Sequence, residues 1–141
     1  MIVPDVNVLI AAFRSDHEDH GVCRPWLQRA LKSDHAYGIS ELALSAFVRI
    51  VTNPRAIRDA NSLDEALRFA EACLRPSQAV RLSPGPRHWD IFSRLCRDSH
   101  VRGDVITGAY FAALAIEHGC EWITLDGDFA RFPGLKWRRP E

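Results

Sequence analysis

Apolar residues recur along the chain in short β-branched runs and in longer helical stripes. The first apolar run lies within residues 2–10 and predicts an opening strand, after which residues 7–13 suit the start of a helix. Later strands are predicted at residues 37–39, 79–82, 120–125 and 135–138. Helical stripes cover residues 21–32, 40–51, 63–74, 89–96 and 105–118. Because strands and helices alternate, we expect an α/β fold with a mostly parallel central sheet flanked by helices on both faces.

Local signals mark where several of these helices begin and end. Ser40 suits the N-cap of the third helix, which puts Glu41 in its first turn. Ser62 and Glu65 have the spacing of a capping box, and Gly119 suits the position just after the last helix. One side of the fifth helix is predicted to carry Trp89, Phe92, Leu95 and Cys96.

The composition is that of an ordinary folded protein. The chain has 141 residues, of which 47% are hydrophobic and 26% are charged, so we expect a single domain over residues 1–141. No apolar run reaches the roughly 20 residues that cross a membrane, and no export signal is visible. The sequence therefore predicts a cytoplasmic protein without membrane contact.

Cysteine usage and charge exclude several kinds of site. The four cysteines stand singly, without the paired spacing of zinc ligands, so we expect reduced, buried thiols. The 18 basic and 18 acidic residues balance, so the whole chain lacks the positive excess typical of nucleic-acid-binding proteins. Its cations are nearly all arginine, a residue that suits paired contacts with phosphate or carboxylate groups.

Acidic residues follow several of the predicted strands. Asp5, Glu41 and Asp126 stand at or after strand ends, Asp128 follows in a turn, and Asp104 opens the last helix. In parallel sheets the ligand crevice lies beyond the carboxyl ends of the strands, so one fold can gather these carboxylates there. Crowded carboxylates need a cation, and an all-oxygen set favours Mg²⁺ or Mn²⁺. This arrangement predicts metal-assisted hydrolysis of a phosphodiester.

Plain structural roles fit the same acids and stay open at this point. Glu41 suits the positive end of a helix, and Asp104 suits an N-cap. Asp126 and Asp128 suit an ordinary turn around Gly127. The individual positions therefore do not decide between structure and chemistry.

Four segments of the chain carry a family resemblance: Pro4–Leu9, Ser40–Leu42 leading to Arg49–Arg55, Ala112–Gly119, and Asp126–Leu135. In their order and spacing they resemble the PIN domains of VapC toxins. The resemblance implies a three-layer PIN-like fold and a Mg²⁺-dependent endoribonuclease, with Mn²⁺ as a substitute, that forms the toxin of a type II toxin–antitoxin pair. It also implies RNA such as tRNA as the substrate, a VapB-like antitoxin as the partner, and a homodimer.

The resemblance further implies roles for particular residues. Asp5 is carried over as the first metal ligand, Glu41 as the second acid, and Asp126 as the acid after the last core strand. Supporting positions are carried over to Asn7, Thr124 and Asp128.

One position departs from the family pattern. Relatives carry an Asp where this chain has Gly108, and an Asn four residues earlier, where this chain has Asp104. Residues four apart share a helix face, so Asp104 can reach the same metal from one turn away. We therefore predict Asp5, Asp104 and Asp126 as metal ligands, with Glu41 completing the catalytic set. The alternative is a metal-weak or inactive PIN domain that mainly binds an antitoxin.

A different acidic α/β protein is the remaining alternative. Asp5 and Asn7 are distantly similar to the nucleophile motif of haloacid-dehalogenase-type phosphatases, and acids at strand ends are similar to those of receiver domains. Both classes need a lysine after a late strand, where this chain has only Lys136. Trapping of a phosphoaspartate at Asp5 would support them.

The residues that contact RNA stay open as well. Arginines near the four segments are candidates for phosphate contacts, although each also suits a solvated surface or an ion pair. They are Arg14, Arg49, Arg55, Arg102 and Arg131.

Overall fold

A computed structural model describes the whole chain, residues 1–141. The strands are β1 (Ile2–Pro4), β2 (Tyr37–Ser40), β3 (Ala79–Leu82), β4 (Glu121–Ile123) and β5 (Lys136–Arg138). The helices are α1 (Val6–Phe13), α2 (His20–Lys32), α3 (Glu41–Val51), α4 (Leu63–Leu74), α5 (His88–Asp98) and α6 (Val105–Glu117). A short 3₁₀ helix follows β4 at Gly127–Arg131. None of the helices is both long and apolar enough to cross a membrane.

All five strands are parallel, in the order β3-β2-β1-β4-β5. The strand β1 is central, and it pairs Ile2 with Tyr37 on one side and Val3 with Trp122 on the other. The chain adds β2 and β3 outward from β1 and then returns to add β4 and β5 on the opposite side. The order of strands therefore reverses between β1 and β4, where parallel sheets form their ligand crevice.

Two hydrophobic cores cover the two faces of this sheet. Ile123 packs with α1 to α4, whereas its neighbour Trp122 packs with α5 and α6, because successive strand residues point to opposite faces. In β2, Gly38 has no room for a side chain, since a Cβ would lie 2.6 Å from Leu82 and 2.9 Å from Val3. The predicted α/β fold with helices on both faces is confirmed.

The helix predicted from Asn7 to Phe13 is confirmed, since α1 spans Val6–Phe13. The opening strand ends at Pro4, because the side chain of Asp5 accepts the Val6 N–H and begins α1 there. One predicted detail is wrong. On α5, Trp89 is 70% exposed, and the buried side is formed by His88, Ile91 and Leu95. The predicted caps are confirmed at Ser40, at the Ser62–Glu65 capping box and at Gly119, which has a φ of 65°.

Candidate active site

A cavity of about 470 Å³ opens where the order of the strands reverses. Asp5 enters it from the end of β1, and Asp126 and Asp128 enter it from the segment after β4. One wall is formed by α3, with Ala46, Arg49 and Ile50, and another by the start of α6 and the ring of Phe132. Acidic and apolar surfaces thus meet in one crevice.

Asp5 is the buried carboxylate of this cavity, at 6% exposure. Its Oδ1 accepts the Val6 N–H at 2.6 Å, which caps α1. Its Oδ2 accepts the Thr124 hydroxyl at 2.6 Å and the Asn7 side-chain amide at 3.1 Å. These donors fix the orientation of the carboxylate.

Asn7, at the start of α1, and Thr124, directly after β4, also link these two segments beside the cavity. The Asn7 Oδ1 accepts the Leu125 N–H at 3.1 Å, and its Nδ2 donates to the Thr124 Oγ1 at 3.1 Å. The same Oγ1 accepts the Asp126 N–H at 3.0 Å. Two of the three predicted supporting residues, Asn7 and Thr124, therefore contact Asp5 and also hold the segment that carries Asp126.

Burial, and to a smaller extent the nearby charge of Asp126, raise the pKa of Asp5 to about 6. The Thr124 hydroxyl and the Val6 N–H act against this rise because they stabilise the charged form. The buried indole N–H of Trp122 also favours the carboxylate, although it lies outside hydrogen-bonding geometry with any acceptor. A cation beside Asp5 and Asp126 would relieve the cost of holding both charges.

The raised pKa of Asp5 predicts that the metal-free protein loses stability as the pH rises. The folded chain holds the proton to about pH 6, whereas an unfolded Asp releases it near 3.9. The contribution of Asp5 to the free energy of unfolding should therefore fall between about pH 4 and pH 6, by at most about 3 kcal/mol, and then level off; it is read as the difference from the Asp5→Asn variant, because carboxylates with lowered pKa values such as Glu65 act in the opposite direction. Urea unfolding in EDTA measures this decline. The Asp5→Asn variant should lack it, and identical pH profiles would contradict the effect.

Asp126 and Asp128 occupy a turn and line the cavity at the same time. The Asp126 Oδ1 accepts the Asp128 N–H at 2.9 Å, which begins the 3₁₀ helix. The Asp128 carboxylate lies 3.7 Å from the guanidinium of Arg131. One carboxylate oxygen of Asp126 therefore accepts the hydrogen bond of the turn, and the carboxylate stays exposed to the cavity.

Asp104 does not cap α6, although the sequence suited that role. Its backbone is already helical, with φ −62° and ψ −24°, and its side chain accepts no capping hydrogen bond. The residue is exposed and lies on the cavity wall, one turn before Gly108. A Cβ on Gly108 would meet Phe132 at 3.6 Å and Phe129 at 3.8 Å, which is ordinary van der Waals contact. Packing therefore does not require a glycine there.

Glu41 lies apart from the other acids, contrary to the sequence prediction. Its Oε1 is 3.2 Å from Arg81 Nη1, and both side chains are exposed. It lines a separate groove beside β3. The reason is helical geometry, since Glu41 and Ala46 are five residues, about 140°, apart around α3, and the helix turns Ala46 to the cavity.

The donor chemistry of the cavity fits a hard divalent cation only in part. No three acidic, histidine or cysteine side chains lie close enough together to hold one ion. Asp5 and Asp126 do interact electrostatically, and both offer carboxylate oxygens. Mg²⁺ is often held by one or two carboxylates and several waters, so this pair is a sufficient but sparse protein contribution.

The PIN domain family model matches residues 2–135. The chain is a PIN domain. It also belongs to the VapC family, since it is 39% identical to Ribonuclease VapC25 of Mycobacterium tuberculosis over 140 residues, 99% of each chain. By fold it is similar to VapBC2 from Rickettsia felis bound to promoter DNA, with a TM-score of 0.70, 16% identity and full coverage of both chains. It is likewise similar to the sarcin-ricin-loop-cleaving toxin VapC20 of M. tuberculosis, with a TM-score of 0.64, 16% identity, and 96% and 99% coverage.

The structure of this PIN domain adds three residues to the site that the sequence did not single out as part of it. Ala46 lines the cavity through helical phase, and Trp122, buried in β4 outside the cavity lining, lowers the pKa of Asp5. Arg49 was one of five equivalent arginines in the sequence, and only its place on the wall distinguishes it. The helical phase of α3, counted from the Ser40 cap, is the one signal in the sequence that pointed to Ala46 and Arg49.

Proposed function

We propose that this PIN domain is a metal-dependent endoribonuclease, the toxin of a VapBC-type toxin–antitoxin pair. The observation that carries the proposal is a buried, oriented Asp5 that faces Asp126 across the reversal point of the sheet. Relatives that share 38–39% identity over nearly their whole length are named ribonucleases. RNA, including tRNA, is the proposed substrate, and the reaction is hydrolysis of a phosphodiester.

Asp5 and Asp126 would hold Mg²⁺, or Mn²⁺ in its place, and Asp104 would contribute through a water from the cavity rim, since no three acids lie close enough together to hold one ion directly. The bound ion would supply charge stabilisation at the phosphate and a more acidic water. Asn7 and Thr124 keep the Asp5 carboxylate in one orientation, and Thr124 also holds the backbone of Asp126. The chain therefore provides a rigid, partly buried pair of acids for this chemistry.

The proposed partner is a VapB-like antitoxin, because several chains of similar fold come from VapBC complexes. We also propose a homodimer, as the family resemblance implies. Both are properties that purification with the neighbouring antitoxin and measurement of mass in solution would test.

The test of the enzyme is cleavage of purified tRNA and of ribosomal RNA by the isolated protein. We expect products from at least one of these RNAs in Mg²⁺, no products in EDTA, and recovery in Mn²⁺. Absence of cleavage of both RNAs in both metals would overturn the enzyme and favour the second candidate.

Asp104→Asn tests the relocated acid. Because Asp104 makes no capping bond, the change should leave the free energy of unfolding nearly unaltered while lowering kcat/KM by about 10–100-fold. Asp64→Asn is the matched control, since Asp64 is exposed on α4, far from the cavity, and pairs only with Arg68. Unchanged cleavage by Asp104→Asn would remove this residue from the mechanism.

The second candidate is a metal-weak PIN domain that mainly binds its antitoxin. It is favoured by the lack of any three-acid cluster and by the bare cavity wall at Gly108. The two candidates differ in metal affinity, which the Gly108 variant treated in the Discussion measures.

A further inference from the structure

Arg14 has a structural role, which removes it from the candidates for RNA contact. Its side chain is only 9% exposed and pairs with Asp16 at 2.8 Å. It also donates to the backbone carbonyl of Asp59 at 2.9 Å and to the Asn61 Oδ1 at 2.8 Å. The guanidinium is therefore fully used in holding the loop between α3 and α4.

Only two of the other four arginines lie on the cavity. Arg55 and Arg102 do not line it, whereas Arg49 and Arg131 do. Arg131 is engaged, since its Nε donates to the Asp128 carbonyl at 3.2 Å and its guanidinium lies 3.7 Å from the Asp128 carboxylate. Arg49 is exposed and makes neither an ion pair nor a hydrogen bond. Of the two arginines that line the cavity, Arg49 is therefore the one whose guanidinium is free to bind a ligand.

The charge of the cavity makes such a cation necessary for an anionic substrate. Four aspartates line it against two arginines, one of which is already paired. A phosphodiester that approached these carboxylates would be repelled, and a divalent ion would offset this only at the phosphate it contacts. Neighbouring phosphates of the same strand need a separate positive group.

The position of Arg49 suits that task. It lies in the last turn of α3, one turn after Ala46 on the same side of the helix. Helical side chains lean toward the N-terminus, the direction in which Ala46 lies, and both residues line the cavity that also contains Asp5 and Asp126. The planar guanidinium of Arg49 can donate two parallel hydrogen bonds to a phosphate.

We infer that Arg49 binds a backbone phosphate of the RNA next to the one that is cleaved, and that it positions the strand across the Asp5–Asp126 pair. This inference rests on the proposed ribonuclease function and names how that site holds its substrate. Arg49 is a substrate-binding residue, and the chemistry at the scissile phosphate does not pass through it.

Binding of a labelled RNA hairpin of mixed sequence, measured by fluorescence anisotropy in an Asp5→Asn background, tests the inference without cleavage. Arg49→Gln should weaken binding about tenfold and reduce the slope of log K against log salt by about 1. Arg49→Lys should restore the salt slope but only part of the affinity, because lysine keeps the charge and loses the paired geometry. Arg94→Gln is the matched control, since Arg94 is exposed on a helix, has no ion pair and lies outside the cavity.

Steady-state cleavage separates this role from a structural one. In the otherwise unmodified protein, Arg49→Gln should raise KM and leave kcat and the thermal midpoint nearly unchanged. Affinity and salt slope equal to those of the parent, with cleavage intact, would overturn the role of Arg49 while leaving the ribonuclease in place. Failure of the parent to bind or cleave RNA would overturn both.

Discussion

Asp5→Asn is expected to abolish RNA cleavage, with a loss of roughly a thousandfold or more in kcat/KM. The substitution keeps the size of the side chain and removes the one buried charge that faces Asp126. Metal-assisted stabilisation of a reacting phosphate is worth several kcal/mol, and each 1.36 kcal/mol is a factor of about ten in rate. Quantified cleavage of labelled tRNA over a range of substrate concentrations measures the loss.

Unfolding should not explain that loss. Asp5 is costly to bury as an anion, and removing that charge in the asparagine variant offsets the acceptor oxygen that the amide no longer offers to Thr124 and Asn7, so the variant should stay folded above pH 6 in the absence of metal. A normal thermal midpoint together with lost cleavage therefore assigns the effect to chemistry. Cleavage retained within about tenfold of the parent would show that Asp5 does not hold a catalytic metal.

The fold was predictable because its signals are local. The caps at Ser40 and Ser62 and the strand at Ala79–Leu82 follow from residues within a few positions of one another. The exact end of β1 was less well defined, because apolar residues continue from the strand into α1 on both sides of Asp5 and Asn7. Only the hydrogen bond from Val6 to Asp5 separates the two elements.

Site residues that follow strand ends were predictable from the sequence, whereas the direction in which residues at helix starts point was not. Asp5, Asn7 and Asp126 follow strand ends, and the parallel sheet necessarily brings those ends together. Glu41 and Asp104 stand in the first turns of helices, and their directions depend on how each helix rotates against the sheet. That rotation is set by packing, so Glu41 turned to Arg81 and Asp104 turned to the cavity.

Gly108→Asp is expected to raise the affinity for Mn²⁺ by at least about tenfold. The wall at this position has room for a side chain, and it lies on the same cavity as Asp5 and Asp126. A third carboxylate adds both charge and an oxygen ligand, the two quantities that set the affinity of a hard cation site. Without metal the same carboxylate is repelled by its neighbours, so added Mn²⁺ should raise the thermal midpoint more in the variant than in the parent.

Gly108→Ala separates the effect of the added carboxylate from the effect of replacing glycine in the helix. Alanine at an interior helical position is worth about 1 kcal/mol over glycine, so this control should be more stable than the parent and unchanged in Mn²⁺ affinity. Titration calorimetry of the three proteins then distinguishes the two candidate functions. Weak binding by the parent and strong binding by Gly108→Asp would indicate a site that has lost a ligand, as in the metal-weak domain. Tight Mn²⁺ binding by the parent with no gain in the Gly108→Asp variant would mean that Asp104 or water already occupies this place. The coordination sphere of the ion would then be complete, so a further carboxylate could not add a ligand.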